Sequence, residues 1–309
     1  MALKKKRASR SLAHGRPPVL QKPKSISRKA TKSLINSIHV LEKRKAQAVS
    51  KGNVAEVAKI DAEIAALGGI EKYQQASLQG QRTDRGGDSS KVLMEWLKPI
   101  YPALKATASD GPVRMLEVGA LSTTNECSSS GLFSMERIDL NSQGEGILQQ
   151  DFMERPLPKG PSERFDIISL SLVLNFVPDA AGRGNMLLRT LEFLKKPLAS
   201  ADEKLDEFLP SLFLVLPAPC VTNSRYTDES TLEAIMNSLG YVQTRSKTTN
   251  KLVYYLWTRK NTSPGRGEQF TKKEIRSGGL KEQFRDCHAC TSWLIRTTTY
   301  HAYPQQARH

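Results

Sequence analysis

The chain has 309 residues, 39% hydrophobic and 25% charged, enough for one large domain or two small ones and unlike a disordered polyelectrolyte. Its four cysteines are spread out except for Cys287 and Cys290, which excludes a small disulfide scaffold and suits a reducing compartment, and neither a membrane span nor an export signal is expected, because the start MALKKKRASRSLAHGRPP has no apolar run. The net charge of +15 is uneven: residues 1–51 hold 15 Lys and Arg against one acid, residues 52–259 hold 22 against 26, and residues 260–309 hold 9 against 4, so a near-neutral core would meet a polyanion through an arm and a tail.

Residues 1–32 join KKKR at 4–7 with Pro17, Pro18 and Pro23. Too little apolar surface remains to offset ordering entropy, so a disordered basic arm is expected, fit for a nuclear address or for phosphate contacts. A helical extension is assigned to residues 33–98. Leu34, Ile35, Ile38 and Leu41, then Val54, Val57, Ile60, Ile64 and Leu67 recur at steps of three or four, with Gly52-Asn53 between them. That spacing predicts an antiparallel helical hairpin closed at Gly68-Gly69, either packed on the next domain or extended toward RNA. Residues 70–90 are polar and glycine-bearing, and KVLMEWL at 91–97 resumes helical spacing, with Ser89 or Ser90 as its N-cap, until Pro99.

The main domain is assigned to 99–260. Strands are predicted at 113–118, 133–138, 165–173, 212–216, 241–248 and 252–259, with helices at about 182–195 and 229–239 between several of them. This alternation predicts an α/β fold, a doubly wound and mostly parallel sheet covered on both faces, with the last two strands as an antiparallel hairpin. Residues 261–309 are taken as a poorly ordered tail. Its Cys287-His288-Ala289-Cys290 lacks a second ligand pair, so no metal site is assigned.

In such a sheet a ligand lies beyond the carboxyl ends of the strands. VRMLEV runs into Gly119, which lets the backbone turn and a ligand approach, and Glu117 sits just before it. Twenty residues on, FSMERI delivers Asp139 at a strand end, where a carboxylate takes both hydroxyls of a ribose. Gly119 is followed by Ala120, Leu121 and Ser122, so GxGxxG is absent. A pyrophosphate seated on a helix N-terminus, as in NAD or FAD, is disfavoured, and S-adenosylmethionine, with a ribose and no phosphate, remains. A third acid follows as Asp151, with Phe152 beside it. Each acid alone also suits a turn or a helix cap; Glu117, Gly119, Asp139 and Asp151 in this order favour a site.

LEVG, IDL, QDF and FDIISLSLVLNFVPD together resemble the class I S-adenosylmethionine-dependent methyltransferases, with their seven-stranded Rossmann-like sheet. Joined to IEKYQQAS at 70–77, GQ at 80–81 and GGDSSKVLMEWL at 86–97, they look like the fungal nucleolar family that methylates N1 of an adenine in 25S ribosomal RNA. The resemblance spans about residues 33–260 and implies an enzyme of class 2.1.1 in ribosome biogenesis, in the nucleus and nucleolus, acting on ribosomal RNA or a pre-ribosome, with a monomer expected. It implies Gly119 and Asp139 as cofactor contacts, Asp151 on the adenine amino group and Phe152 as an apolar wall. Leu121 departs from the family pattern, standing where its first motif has a second glycine. For the target base the candidates are Asn175, to bond the adenine edge, and Phe176, to stack on it; the plainer reading is a helix-capping Asn beside a core Phe. The alternatives are a catalytically silent S-adenosylmethionine sensor and a methyltransferase of small molecules or proteins whose basic arm is only an address. The arm and tail charge favours RNA.

Overall fold

The computed structural model describes residues 28–69, 87–106, 111–142, 144–177, 179–197, 203–224, 226–260 and 274–275. The KKKR run, the 70–77 block and Cys287-Cys290 lie outside them. Helices α1 (Arg28–Ser50) and α2 (Val54–Ala66) form the predicted hairpin, with α1 starting inside the span assigned to the arm. Leu41, Ala48 and Ile60, with Val57, Ile64 and Leu67, make a cluster of their own. Arg44 pairs with Glu56 at 2.8 Å and Glu63 at 3.3 Å, and Lys45 with Asp61 at 2.6 Å, so these cations serve the hairpin itself.

Next come α3 (Ser90–Leu97), a 3-10 turn and α4 (Tyr101–Ala106). Leu93, Met94 and Leu97 are buried in one cluster with Met115, Phe213 and Leu256 of the sheet, so α3, within the span assigned to the helical extension, packs against the sheet. The strands are β1 (Val113–Val118), β2 (Phe133–Asp139), β3 (Leu148–Gln149), β4 (Ile167–Ser171), β5 (Ser211–Pro217), β6 (Tyr241–Thr248) and β7 (Leu252–Arg259). They form one seven-stranded sheet in the order β3-β2-β1-β4-β5-β7-β6. β1 to β5 run parallel, and β7 joins antiparallel between β5 and β6. The remaining helices are α5 (Glu126–Ser129), α6 (Ala180–Phe193), α7 (Glu203–Phe208), α8 (Pro219–Thr222) and α9 (Glu229–Ser238).

Side chains alternate between two buried layers, as period-two geometry requires. Leu212, Leu214 and Leu216 face one layer, which includes Leu187 of α6 and Ile235 of α9. Phe213 and Val215 face the other, beside α3 and Phe208 of α7. A sheet covered on both faces explains why β5 reads as an unbroken apolar run. The outermost strands differ from it: β3 is two residues long, and β6 carries a register shift between Gln243 and Arg245. Among the described residues no helix is long and apolar enough to cross a membrane.

The end of the sheet is tied to α6 by Arg259, 5% exposed, whose Nη1 donates to the carbonyls of Leu191 (2.7 Å), Leu194 (3.2 Å) and Lys195 (3.3 Å). A cation at a helix C-terminus satisfies orphan carbonyls and opposes the helix dipole. Arg259→Ala is expected to destabilise the fold by about 3 kcal/mol in urea unfolding, since the buried carbonyls lose their donor. A change below about 0.5 kcal/mol would show that water replaces the guanidinium without cost.

Candidate functional site

β1 and β4 are neighbours, and the chain leaves them in opposite directions, toward β2 and β5. Loops that diverge in this way open a crevice above the carboxyl ends of the two strands. Gly119 lies on one side of it with φ +74°. The amides of Gly119 and Ala120 both donate to the carbonyl of Ile138, at 2.8 and 3.1 Å, which turns the chain sharply at the end of β1. A Cβ at position 119 would sit 2.6 Å from Val173 Cγ2. Two independent constraints, the sign of φ and the close approach, therefore demand glycine.

On the other side the chain leaves β4 through Leu172, with φ +59° the one non-glycine residue of positive φ among the described residues. Its amide donates to the carbonyl of Val215 at 3.0 Å and its side chain packs against the α3 layer. A left-handed leucine costs roughly 1–2 kcal/mol and persists only where its surroundings hold it. It ends the strand at Ser171, two residues short of the predicted Val173. Asn175 follows in a single 3-10 turn, Leu174–Phe176. Its Oδ1 is buried with no hydrogen-bond partner. The cap of α6 is instead Asp179, which accepts from the amide of Gly182 at 2.7 Å. Phe176 is 36% exposed. The plainer reading of this pair, a capping Asn beside a core Phe, is thus corrected: neither residue is used that way.

Asp139 ends β2, and its Oδ1 accepts from the amide of Asn141 at 2.8 Å, an Asx turn that fixes the carboxylate. The Asp139 carbonyl accepts from Gln150 at 2.9 Å, which brings Asp151 alongside. Asp151 is exposed and accepts from the amide of Met153 at 2.7 Å. Phe152 points elsewhere. It is 2% exposed and its ring lies 5.3 Å from that of Phe193 in α6, so it builds the core behind the strand ends and presents almost no face to a ligand.

Glu117 lies beneath the crevice. Both of its oxygens accept from Asn125 Nδ2 at 2.9 Å, while Asn125 Oδ1 accepts from the amide of Ser128 and caps α5. Burial raises the Glu117 pKa above its ordinary value, against the lowering effects of the Asn125 hydrogen bond and of Arg137, its register partner in β2. A folded-state value above the unfolded one means that the site favours the protonated acid. Its stabilising contribution is present below the ordinary carboxylate range and is lost as pH rises through the elevated value. Glu117→Gln should therefore flatten the dependence of Tm on pH above the ordinary carboxylate range. Parallel wild-type and variant curves would show that the carboxylate is not under strain.

Sequence reasoning gave Ser89 and Ser90 only a capping role. Ser89 does precede α3, but it makes no side-chain capping bond. Asp88 does that work, accepting from the amide of Ser90 at 2.9 Å. Ser89 Oγ instead meets Ser171 Oγ at 2.8 Å, 82 residues away. The only local signal was the run of small polar residues before an apolar helix. The strand ends thus bring together Gly119, Asp139 and Asp151, with Asn175 and Phe176 on the opposite loop, Glu117 supporting from below and Phe152 left in the core.

Residues 58–285 match the family model described as 25S rRNA (adenine(2142)-N(1))-methyltransferase, Bmt2. The chain is 38% identical over 252 residues to the 25S rRNA adenine-N(1) methyltransferase of Schizosaccharomyces pombe, across 81% of this chain and 88% of that protein. It is 42% identical over 192 residues to the 25S rRNA (adenine(2142)-N(1))-methyltransferase of Saccharomyces cerevisiae, across 62% of this chain and 51% of that protein. Among solved structures, the 1,6-didemethyltoxoflavin-N1-methyltransferase of Burkholderia thailandensis superposes with a TM-score of 0.38 at 12% identity, over 61% of this chain and 87% of that one.

Proposed function

Because the chain belongs to the 25S rRNA (adenine(2142)-N(1))-methyltransferase family, Bmt2, we infer that it methylates N1 of an adenine in large-subunit ribosomal RNA with S-adenosylmethionine as donor. The observation that carries this reading is 38% identity across 81% of the chain to a curated member. When bound, S-adenosylmethionine supplies a methyl group on a positively charged sulfur.

The chain's own residues have two tasks, to hold that donor and to hold the base. Asp139, fixed by the Asn141 amide, accepts from the ribose hydroxyls, and Asp151 beside it accepts from the adenine amino group of the donor. Gly119 turns the chain sharply where a Cβ would collide with Val173 of the facing loop, so its backbone can border the donor. Adenine N1 already carries a lone pair, so positioning and alignment supply most of the rate and a strong general base is not required. N1 lies on the pairing edge, so the target base must be unpaired or turned out of its helix. The loop after β4 is where such a base is received: Phe176 offers an exposed ring and Asn175 an amide, groups suited to stacking and to edge recognition. The charge of residues 1–51 and 260–309 suits the RNA backbone. Along the arm 1–32, helical extension 33–98, methyltransferase domain 99–260 and tail 261–309, RNA attachment would then fall chiefly to the arm and tail, in a nucleolar monomer acting on ribosomal RNA or a pre-ribosome.

Incubating the purified protein with labelled S-adenosylmethionine and total rRNA, then analysing nucleosides, is expected to yield 1-methyladenosine. Cofactor binding without incorporation into naked rRNA or pre-ribosomes would overturn the enzymatic reading in favour of a sensor.

A further inference from the structure

Residues 88–90 tie together the two loops that border the crevice. Asp88 accepts from the amide of Glu126 at 2.7 Å, and Ser90 Oγ accepts from the amide of Cys127 at 3.3 Å; both amides belong to α5, the helix after β1. Ser89, between them, pairs its hydroxyl with that of Ser171 at the end of β4. Three consecutive residues from upstream of the sheet thus bond to the helix that follows β1 and to the last residue of β4. Ser171 is followed by the left-handed Leu172 and then by Val173, whose Cγ2 stands where a Cβ at 119 would go. The turn is held on one side by the Leu172 amide on Val215 and on the other by the two serine hydroxyls.

We propose that Ser89 is a positioning residue of the methyl-transfer site. Through Ser171 it holds the strained turn that aims the loop carrying Asn175 and Phe176 at the crevice. This role rests on the methyltransferase reading and goes beyond it, because it makes a segment before the sheet part of the active-site geometry. A hydroxyl pair is well suited to this task. It is directional, and at an 82-residue separation it fixes the loop relative to the helix that packs beneath the sheet rather than to its own strand.

The test uses the full chain, S-adenosylmethionine and total rRNA. Ser89→Ala is expected to lower kcat by about tenfold, the equivalent of 1.4 kcal/mol, with KM for rRNA and the calorimetric Kd for S-adenosylmethionine within about threefold of wild type. Ser171→Ala should have the same effect, and the double variant should be no worse than either, since one contact is removed twice. Ser89→Thr, which keeps the hydroxyl, should restore kcat. Wild-type kcat in Ser89→Ala would overturn the proposal, as would additive losses in the double variant or a Ser89→Thr no better than alanine. Should either alanine variant fail to fold, the other reports on the same contact, and Ser89→Thr still separates hydroxyl from shape. A wild-type chain that methylates no adenine defeats the underlying reading instead, so the two failures are distinguishable.

Discussion

Gly119→Ala is expected to weaken S-adenosylmethionine binding at least about a hundredfold in calorimetry while leaving the sheet folded, equivalent to about 2.7 kcal/mol. Two costs combine. The residue has φ +74°, where an L side chain pays roughly 1–2 kcal/mol. The added Cβ would lie 2.6 Å from Val173 Cγ2, well inside contact distance, so the loop after β4 or the turn after β1 must give way. Either movement displaces the rim of the crevice. Pairing the change with Val173→Ala removes the collision but not the strained φ, so the double variant should recover part of the affinity. Binding within about threefold of wild type would take Gly119 out of the site.

The second large effect is expected at Asp139. Asp139→Ala removes the proposed acceptor for the ribose hydroxyls, and hydrogen bonds to a charged group contribute about 1.5–3 kcal/mol each, so about a hundredfold loss of affinity is expected. The substitution also strips the Asn141 amide of its acceptor, which loosens the turn after β2. Asp139→Asn separates the two effects. It keeps an oxygen for Asn141 and forfeits only the charge, so its affinity should fall about tenfold and its Tm should stay near wild type. Equal affinities for wild type and both variants would place the ribose elsewhere.

The parts of this fold that were legible in the sequence are those with a repeating pattern. β6 and β7 run over the predicted residues, 241–248 and 252–259, because turn residues bound both. α6 and α9 announced themselves by three-and-four spacing behind the caps Asp179 and Asp228. The short helices 126–129, 203–208 and 219–222 were missed, since one or two turns are too few to display a period and are held by packing rather than propensity. β4 ended early because nothing in the identity of Leu172 signals a positive φ. The same divide runs through the candidate site. Gly119 and Asp139 stood out as residue types that strand ends need for turning and for binding a sugar. The Ser89–Ser171 pair did not, because its meaning lies in a contact between distant segments. Phe152 misled for a related reason: an apolar residue beside a strand-end acid suits a ligand wall and a core equally, and only the position of α6, with Phe193, decides for the core.

The two outer strands of the sheet bear on whether copies of the chain can add to one another edge to edge at high concentration. A free β edge is a template on which a neighbouring molecule can add a strand of its own, a route to runaway association. Here one edge is β3, a mere two residues, too brief to recruit a neighbour. The other, β6, is broken by the irregularity at Gln243–Arg245, and its Arg245 and Lys247 are tied to Glu207 at 2.9 Å and Glu95 at 3.9 Å. Straightening that kink would be the shortest path to an edge that recruits a neighbour.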